Sequence, residues 1–215
     1  MPETGEEMKI LELFSGTESF SKVARARGHK VFTLDFDKQF NPNLLIDILD
    51  FDVSMLPKEF RHPDIIWASP PCTTFSVASI STHWKGGKKA YIPKTKESEK
   101  GLQILRKTKE LIKVLNPQFY VIENPRGVMR KFMPDENRQT ITYCQYGDNR
   151  MKPTDIWTNI KWVGKKCKNR DKCHISAPRG SKTGTQGLKN SIERSIIPEK
   201  LCIEILESCQ KQEKK

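Results

Sequence analysis

The sequence predicts an α/β protein: a mostly parallel central sheet with helices on both faces and an antiparallel hairpin at one edge. Three observations indicate this class. Segments that are apolar on both faces recur through the first half of the chain, helix-length spacers separate them, and two more strand-like segments follow with a short link between them. Strands that are apolar on both faces are typical of parallel sheets whose faces are covered by helices.

The first half supplies five predicted strands and two predicted helices. The helix SFSKVARARGH ends at Gly28, and the helix SEKGLQILRKTKELIKVLNP is broken by Asn116-Pro117. The strands, in order, are KILELFSG with a turn at Gly16, KVFTLDFD, NLLIDILDF, DIIWASPP and QFYVIENP. Between the fourth strand and the second helix, residues 73–97 form a long basic segment without periodicity. Loops of this length in compact domains are usually functional or mobile.

The second half predicts an addition to the sheet. RQTITYCQYG and PTDIWTN predict two strands, which we expect to pair in antiparallel fashion at the sheet edge. The final segment, IPEKLCIEILESCQKQEKK, predicts a helix that begins after Pro198 and ends in a charged tail.

Positive charge is concentrated in two segments of a chain whose net charge is +12. Residues 151–190 carry ten Lys or Arg against two Asp, and residues 84–110 carry nine basic residues against three acidic ones. Two solvated lysine-rich faces would also produce this pattern. The concentration favours a polyanionic partner, of which nucleic acid is the most general case.

Composition excludes several other classes of protein. The apolar fraction of 36% indicates a globular chain, and no run reaches the roughly 18 apolar residues of a membrane span. The N-terminal MPETGEEMK is acidic and unlike a secretory signal, and the six cysteines form no dense disulfide framework. We therefore expect an intracellular protein, in the cytoplasm of a bacterial or virus-infected host cell or associated with a nucleoid.

Polar or reactive residues follow all five predicted parallel strands, in LFSGTES, LDFD, IDIL, SPPC and IENPRG. Ligands bind at the carboxyl ends of such strands. A turn glycine or a capping aspartate explains each of these residues separately, but their joint occurrence favours a site.

The first three strand ends predict a pocket for an adenosine-containing ligand without a pyrophosphate. The dinucleotide fingerprint G-x-G-x-x-G is absent, since only Gly16 precedes Gly28. Gly16 still allows close backbone approach next to a helix N-terminus. Asp35 is placed to hold ribose hydroxyls, Phe36 to stack on a purine and Asp47 to accept from an exocyclic amine.

With these residues in place, the chain resembles the cytosine-C5 DNA methyltransferases over most of residues 9–209. LFSG is similar to their first motif, SPPCTTFS to their Pro-Cys loop, VIENPRG to their Glu-Asn motif and NSIERSIIPEKLCIEIL to their closing motif. The resemblance implies a Rossmann-like class I methyltransferase fold. It also implies S-adenosylmethionine-dependent methylation of C5 of cytosine in DNA, with double-stranded DNA favoured and the target base flipped out of the duplex.

The same resemblance implies roles for individual residues. A thiolate must add to C6 because C5 of cytosine is too weak a nucleophile to take the methyl group directly. A carboxyl group must act at N3 during this addition, and basic residues contact the ring and phosphates, although NRMKPT departs from the usual pattern. The implied catalytic set is Cys72, Pro71, Glu123, Asn124, Arg150 and Lys152. The implied cofactor set is Phe14, Ser15, Gly16, Thr17, Asp35, Phe36, Asp47, Ile48, Ser69 and Pro70.

Two departures from the family's pattern stand out. Glu18 and Ser19 replace glycines of the first motif, and a carboxylate there is unfavourable unless it points away from the cofactor. Only about 25 residues occupy the place of the family's large target-recognition region, so a partner subunit could supply recognition. We expect a cofactor-binding catalytic domain in 1–160, a short basic Cys/Gly-rich insertion in 161–190, and a closing helix and charged tail in 191–215.

The insertion contains two further candidate sites. Cys167, Cys173 and His174 of CKNRDKCH, with Cys144 upstream, could hold a structural zinc ion, or could be unrelated thiols, since C-x5-C is an uncommon spacing. The basic segment RGSKTGTQGLK suits close approach to phosphates or a merely flexible loop. Two other functions stay open: a catalytically weak or inactive DNA-binding module, and the same chemistry on RNA.

Overall fold

A computed structural model describes residues 6–133, 137–168, 171–175, 188 and 190–213. The strands are β1 (Lys9–Leu13), β2 (Lys30–Asp35), β3 (Leu44–Leu45), β4 (Ile65–Ala68), β5 (Trp84–Lys85), β6 (Ile92–Pro93), β7 (Phe119–Pro125), β8 (Arg138–Thr142) and β9 (Pro153–Thr158). The α-helices are α1 (Ser19–Ala26), α2 (Ile80–His83), α3 (Gly87–Ala90), α4 (Lys96–Leu115), α5 (Ser191–Ser195) and α6 (Glu199–Glu213). The predicted glycine-rich segment 179–189 lies outside the described residues, Leu188 excepted.

The main sheet has seven strands in the order β3-β2-β1-β4-β7-β9-β8. The first five strands in this order are parallel, and β9 pairs in antiparallel fashion with both β7 and β8. This is the predicted Rossmann-like arrangement with an antiparallel edge hairpin, and the prediction of fold class is confirmed. Because the parallel strands run the same way, their polar carboxyl ends meet at one edge of the sheet.

Each face of the sheet carries its own apolar core. On one face, Ile10 and Trp67 pack with α1 and α6, and the Trp67 ring stacks on Phe20 with centroids 4.4 Å apart. On the other face, Leu11 and Leu13 pack with α4. Successive residues of β1 therefore enter opposite cores, which explains why the strands are apolar on both faces.

The third strand is much shorter than NLLIDILDF predicts. Only Leu44–Leu45 pair with β2. The Asp47 side-chain carboxylate then accepts the Leu49 N–H at 3.1 Å. The main-chain carbonyl of Asp47 accepts the Asp50 N–H at 2.9 Å. An aspartate that bonds its own backbone two residues on forms a turn, so the chain leaves the sheet at Asp47.

The predicted strand RQTITYCQYG also ends early. β8 stops at Thr142. The chain continues as the 3-10 turn Tyr143–Tyr146, which closes at Gly147 with a left-handed φ of 89°. A glycine adopts this conformation without strain, so the turn redirects the chain toward β9.

The segment after β4 is ordered despite its lack of sequence periodicity. It folds into α2, α3 and the small ladder of β5 and β6. Trp84 anchors it: the indole Nε1–H donates to the Thr74 carbonyl at 2.6 Å, and the ring packs between Phe75 and Phe132. One buried aromatic residue thus fixes a segment that otherwise carries mostly polar side chains.

Two long helices complete the layers. α4 begins at the N-cap Thr95, whose hydroxyl accepts the Ser98 N–H, and ends at Asn116, as Asn116-Pro117 predicts. α6 follows Pro198 and packs beside α1. Within the described ranges, none of the helices combines the length and apolarity needed to cross a membrane.

Candidate active site

A cavity of about 1130 Å³ opens at the carboxyl ends of β1, β4 and β7. The predicted residues that line it are Phe14, Ser15, Gly16, Thr17, Ser69, Pro70, Pro71, Cys72, Glu123, Arg150 and Lys152. A second pocket of about 390 Å³ shares Phe14 and Pro71 with it and is lined by Asp35, Phe36, Asp47 and Ile48. All the predicted catalytic and cofactor residues except the buried Asn124 therefore line two adjoining pockets.

The turn between β1 and α1 is built on left-handed backbone at Phe14, Gly16 and Glu18. The Gly16 N–H donates to Asp35 Oδ2 at 2.8 Å and ties the turn to the end of β2. The Glu18 carboxylate points along α1, where Arg25 Nη1 lies 2.6 Å from Oε2. Arg25 pairs with this carboxylate, and Glu18 is not among the residues that line the cavity.

The smaller pocket presents the groups expected for an adenosine ligand. Phe36 lines this pocket and is 66% exposed, so its ring is accessible for stacking on a base. The second Asp35 oxygen accepts the Asp37 N–H at 2.9 Å. Asp47 Oδ2 lies 2.7 Å from Lys100 Nζ, and this hydrogen bond lowers the pKa of Asp47, which keeps the carboxylate ionised as an acceptor.

The loop that carries Cys72 is latched to the end of β7. Asn124 is fully buried, and its Nδ2 donates to the Pro70 carbonyl at 2.7 Å. Farther along, the Val128 N–H donates to the Phe75 carbonyl at 2.7 Å, and Ser76 bridges to Gly127. A Cβ on Gly127 would collide with the Phe75 carbonyl oxygen, so the close approach of the two loops requires glycine.

Glu123 is buried at the base of the cavity. The Tyr143 hydroxyl donates to Glu123 Oε1 at 2.9 Å. Burial raises the pKa of Glu123, while Lys152 and the Tyr143 hydrogen bond act in the lowering direction. A carboxyl with a raised pKa stays protonated closer to neutral pH, so it can donate a proton as well as accept one.

Cys72 and Lys152 face the same cavity as Glu123. Cys72 is solvent-accessible. The surrounding protein nevertheless desolvates its thiol, which raises the pKa of Cys72, and the negative charge of Glu123 raises it further. Lys152 and Arg194 act in the opposite direction on this thiol. Burial lowers the pKa of Lys152, whose Nζ donates to the Arg194 carbonyl at 2.8 Å. The two cations are thus the groups able to stabilise a thiolate here.

Arg150 lines the cavity, but most of its guanidinium N–H groups bond to Asp148 and to the closing segment. Its Nε lies 2.9 Å from Asp148 Oδ1, and its terminal nitrogens donate to the carbonyls of Glu193, Arg194 and Ile196 at 3.1–3.2 Å. These carbonyls lie at the end of α5, where the short helix leaves carbonyl groups without intrahelical partners. Arg150 therefore holds the closing segment against the cavity.

The sequence reasoning missed several residues of this site. Glu12 lines the cavity and is 2% exposed, and its Oε2 accepts the Ser21 N–H at 3.0 Å. Burial raises the pKa of Glu12 to about 7. Ser15, which was predicted, also lines the cavity, and its buried Oγ has no hydrogen-bond partner among the described residues. Glu12 could have been identified as a site residue from the sequence, because it is a charged residue inside an apolar strand.

Other cavity-lining residues that were not predicted lie in the closing segment. Arg194 and Ile197 line the cavity with Ser191 and Ser195, and the Ile197 N–H donates to Ser19 Oγ at 3.1 Å. The quoted closing motif contains these residues, but spacing alone did not distinguish them from their neighbours.

The four predicted metal ligands form one cluster. Their ligand atoms all lie within 4.8 Å of one another. The sulfur atoms of Cys144 and Cys167 are 3.3 Å apart, those of Cys144 and Cys173 are 3.6 Å apart, and His174 Nδ1 lies 3.7 and 3.5 Å from Cys167 and Cys173. The cluster joins the turn after β8 to the insertion, and its edge lengths suit a tetrahedral site.

Comparison with known proteins identifies relatives of this chain. The family model described as C-5 cytosine-specific DNA methylase matches residues 8–145. A protein of Frog virus 3 (isolate Goorha) named "Probable DNA (cytosine-5)-methyltransferase" is 32% identical over 222 residues, which cover 94% of this chain and 100% of that protein.

Two solved structures are similar at lower identity. The Entamoeba histolytica methyltransferase EhMeth is 11% identical with a TM-score of 0.49, over 76% of this chain and 57% of that structure. A Spodoptera frugiperda DNMT2 mutant is 16% identical with a TM-score of 0.44, over 76% and 54%. The chain thus spans little more than half the length of these structures, but the family model and the viral relative show that it belongs to the C-5 cytosine-specific DNA methylase family.

Proposed function

We propose that the chain transfers a methyl group from S-adenosylmethionine to C5 of cytosine in DNA, with Cys72 as the nucleophile. The observation that carries the proposal is the juxtaposition of Cys72 and buried Glu123 in one cavity, next to a pocket suited to adenosine. The latch between the Cys72 loop and β7 supports it, since it fixes the two reacting side chains relative to each other.

The residues of the smaller pocket fit the cofactor. Phe36 offers a ring for stacking, and Asp35 and Asp47 offer carboxylates to the ribose and the adenine amine. In the adjoining larger cavity, Ser15 Oγ is a buried hydroxyl with no hydrogen-bond partner among the described residues. When bound, S-adenosylmethionine supplies an electrophilic methyl group. The proposed cofactor set is completed by residues that line one or both pockets: Phe14, Gly16, Thr17, Ile48, Ser69 and Pro70.

The chain's own residues prepare the base. The Cys72 thiolate adds to C6, which makes C5 nucleophilic, and transfer of the methyl group to C5 releases S-adenosylhomocysteine. Solvent water takes the C5 proton, the C–H electron pair restores the C5–C6 double bond, and the thiolate leaves C6. Glu123 donates to N3 as C6 is attacked, and Lys152 stabilises the thiolate. Pro71 and Asn124 hold the Cys72 loop, and Arg150 holds the closing segment, so these three are positioning residues.

The test is methyl transfer from labelled cofactor to cytosine-containing DNA. We expect transfer by the wild type and no transfer by Cys72→Ala. The Cys72→Ala variant should still bind the cofactor, because other side chains line the pocket proposed for the adenosine group. Robust transfer by that variant would exclude Cys72 as the nucleophile. Duplex DNA, single-stranded DNA and RNA of one sequence, assayed in parallel, separate the proposed duplex substrate from the others.

We also propose a structural zinc ion held by Cys144, Cys167, Cys173 and His174. Tetrahedral zinc with bonds of about 2.3 Å to sulfur and about 2.0–2.1 Å to nitrogen requires ligand separations of roughly 3.6–3.8 Å. Four of the six separations in the cluster, at 3.3–3.7 Å, lie close to these values, and all six are within 4.8 Å. Elemental analysis should give one zinc per chain in the wild type and in Cys72→Ala, and none in Cys173→Ala. Absence of zinc from native protein would refute the site.

We propose the division into 1–160, 161–190 and 191–215, which two sets of contacts support. The insertion attaches to β8 through the Thr142 N–H and the Lys165 carbonyl at 3.1 Å, and the closing segment lines the catalytic cavity. Because the insertion is short, we propose that a partner subunit assists target recognition inside the cell. Bisulfite sequencing of DNA from cells that express this chain alone tests this: methylation at one defined sequence would make a partner unnecessary.

A further inference from the structure

Tyr143 connects two side chains of the proposed reaction. It is fully buried at the start of the turn after β8, and its hydroxyl donates to Glu123 Oε1 at 2.9 Å. Lys152 Nζ lies over the same ring, 4.4 Å from the centroid. Resting on the proposed function, we propose that Tyr143 is a positioning residue that sets the orientation and proton affinity of Glu123 and holds Lys152 on the cavity side.

The hydroxyl acts on the carboxyl group. Glu123 is buried, so Oε1 would lose a hydrogen-bond partner if the hydroxyl were removed, and its charged form would become less favourable. The donor therefore opposes the effect of burial and keeps the pKa of Glu123 from rising further. The other groups that face this carboxyl are Ser69, Cys72, Lys152, Asp155 and Cys202.

The ring acts on the ammonium group. Lys152 has a left-handed φ of 29°, which is costly for a residue with a side chain and persists only where contacts enforce it. The Tyr143 ring face and the Arg194 carbonyl are two such contacts. Together they keep the ammonium between Tyr143 and the closing segment, in the wall that also carries Cys72.

A phenylalanine separates these two actions, because Tyr143→Phe keeps the ring and removes only the donor. We expect the pKa of Glu123 to rise, measured by carboxyl 13C NMR titration with Glu123→Gln used to assign the resonance. The kcat for methyl transfer should fall about tenfold or more. In the pH–rate profile, the limb that depends on Glu123 should move to higher pH. The affinity for the cofactor should stay unchanged.

Tyr146→Phe is the matched control. Tyr146 is buried on the same turn, and its hydroxyl accepts the Lys165 N–H at 2.8 Å and faces Glu204 instead of Glu123. The Tyr146→Phe variant should titrate Glu123 at the same pH as the wild type. Zinc content should be equal in Tyr143→Phe and Tyr146→Phe. An unchanged Glu123 titration in Tyr143→Phe overturns the inference. The titration needs no substrate, so a failure of the proposed reaction would be recognised separately, as absent methyl transfer by the wild type.

Discussion

The two adjoining pockets differ in how their side chains are held. In the larger cavity, Glu123 is buried, and backbone contacts latch the Cys72 loop to β7. In the smaller pocket, Phe36 is largely exposed, and Asp47 pairs with a solvent-facing lysine across two separate elements. Glu123 and the Cys72 loop are therefore held in place before any ligand arrives, whereas Phe36 and Asp47, which are proposed to bind the cofactor, keep access to solvent. This difference predicts large effects from substitutions in the first pocket and small effects in the second.

The largest effect is expected for Glu123→Gln. The amide can still donate a hydrogen bond but cannot transfer a proton, so the rate of methyl transfer should fall by about 10²–10⁴. Cofactor affinity should be retained, since Glu123 lines only the larger cavity. Single-turnover transfer measures the rate, and Glu110→Gln, on the exposed face of α4, serves as control. A variant with more than half the wild-type rate would remove Glu123 from the reaction.

Gly127→Ala tests the latch itself. The added methyl group must displace the Phe75 carbonyl, and with it the loop that carries Cys72. We expect methyl transfer to fall by about 10–100-fold, because small displacements of reacting groups are costly. Gly28→Ala is the comparison: it also adds a methyl group, at a left-handed position with open space around it. Equal losses in the two variants would show that general destabilisation, and not the latch, explains the result.

Glu12→Gln should change the pH dependence of stability. The folded-state pKa of Glu12 is raised from its usual 4.5 to about 7 by burial. Its contribution to stability is therefore fully present below about pH 4.5 and is lost as the pH rises toward 7. The variant should be more stable than the wild type by about 1–3 kcal/mol at pH 8 and should lose this advantage at pH 4.5. Urea unfolding at both pH values measures the difference, and a pH-independent difference would contradict the assignment.

Asp47→Asn is expected to have the smallest effect. It removes a charged acceptor from a solvent-facing pocket, so the Kd for S-adenosylmethionine should rise only about 3–10-fold. Calorimetric titration measures it. Asp52→Asn is matched, since Asp52 also accepts the N–H of the second residue after it, at 2.8 Å from Ser54, but lies outside the pocket. If both variants bind equally well, Asp47 does not contact the cofactor.

The strand ends could be predicted from sequence because their pattern is local. A run such as DIIWASPPC gives both the buried strand and the place where it stops, and the parallel arrangement then brings Cys72 and Glu123 to one edge. The turn at Asp47 was missed because its side-chain hydrogen bond to Leu49 competes with strand pairing that the apolar pattern favours.

The roles of Tyr143 and Trp84 could not be predicted in this way. Tyr143 lies within a predicted strand as an ordinary aromatic residue, and the pairing of β9 between β7 and β8 brings it next to Glu123. Trp84 orders its segment through contacts with Phe75 and Phe132 that are distant in sequence. Long-range packing of this kind leaves no periodic signal.

The bond from the Ile197 N–H to Ser19 Oγ joins residues that are 178 positions apart. During synthesis on the ribosome, Cys72 and Glu123 emerge well before Ser191, Arg194 and Ile197, which complete the cavity wall. A growing polypeptide therefore carries its thiol and its carboxyl for some time without an enclosed cavity around them. The cavity can therefore be enclosed only after the closing segment has been synthesised and has packed against the rest of the chain.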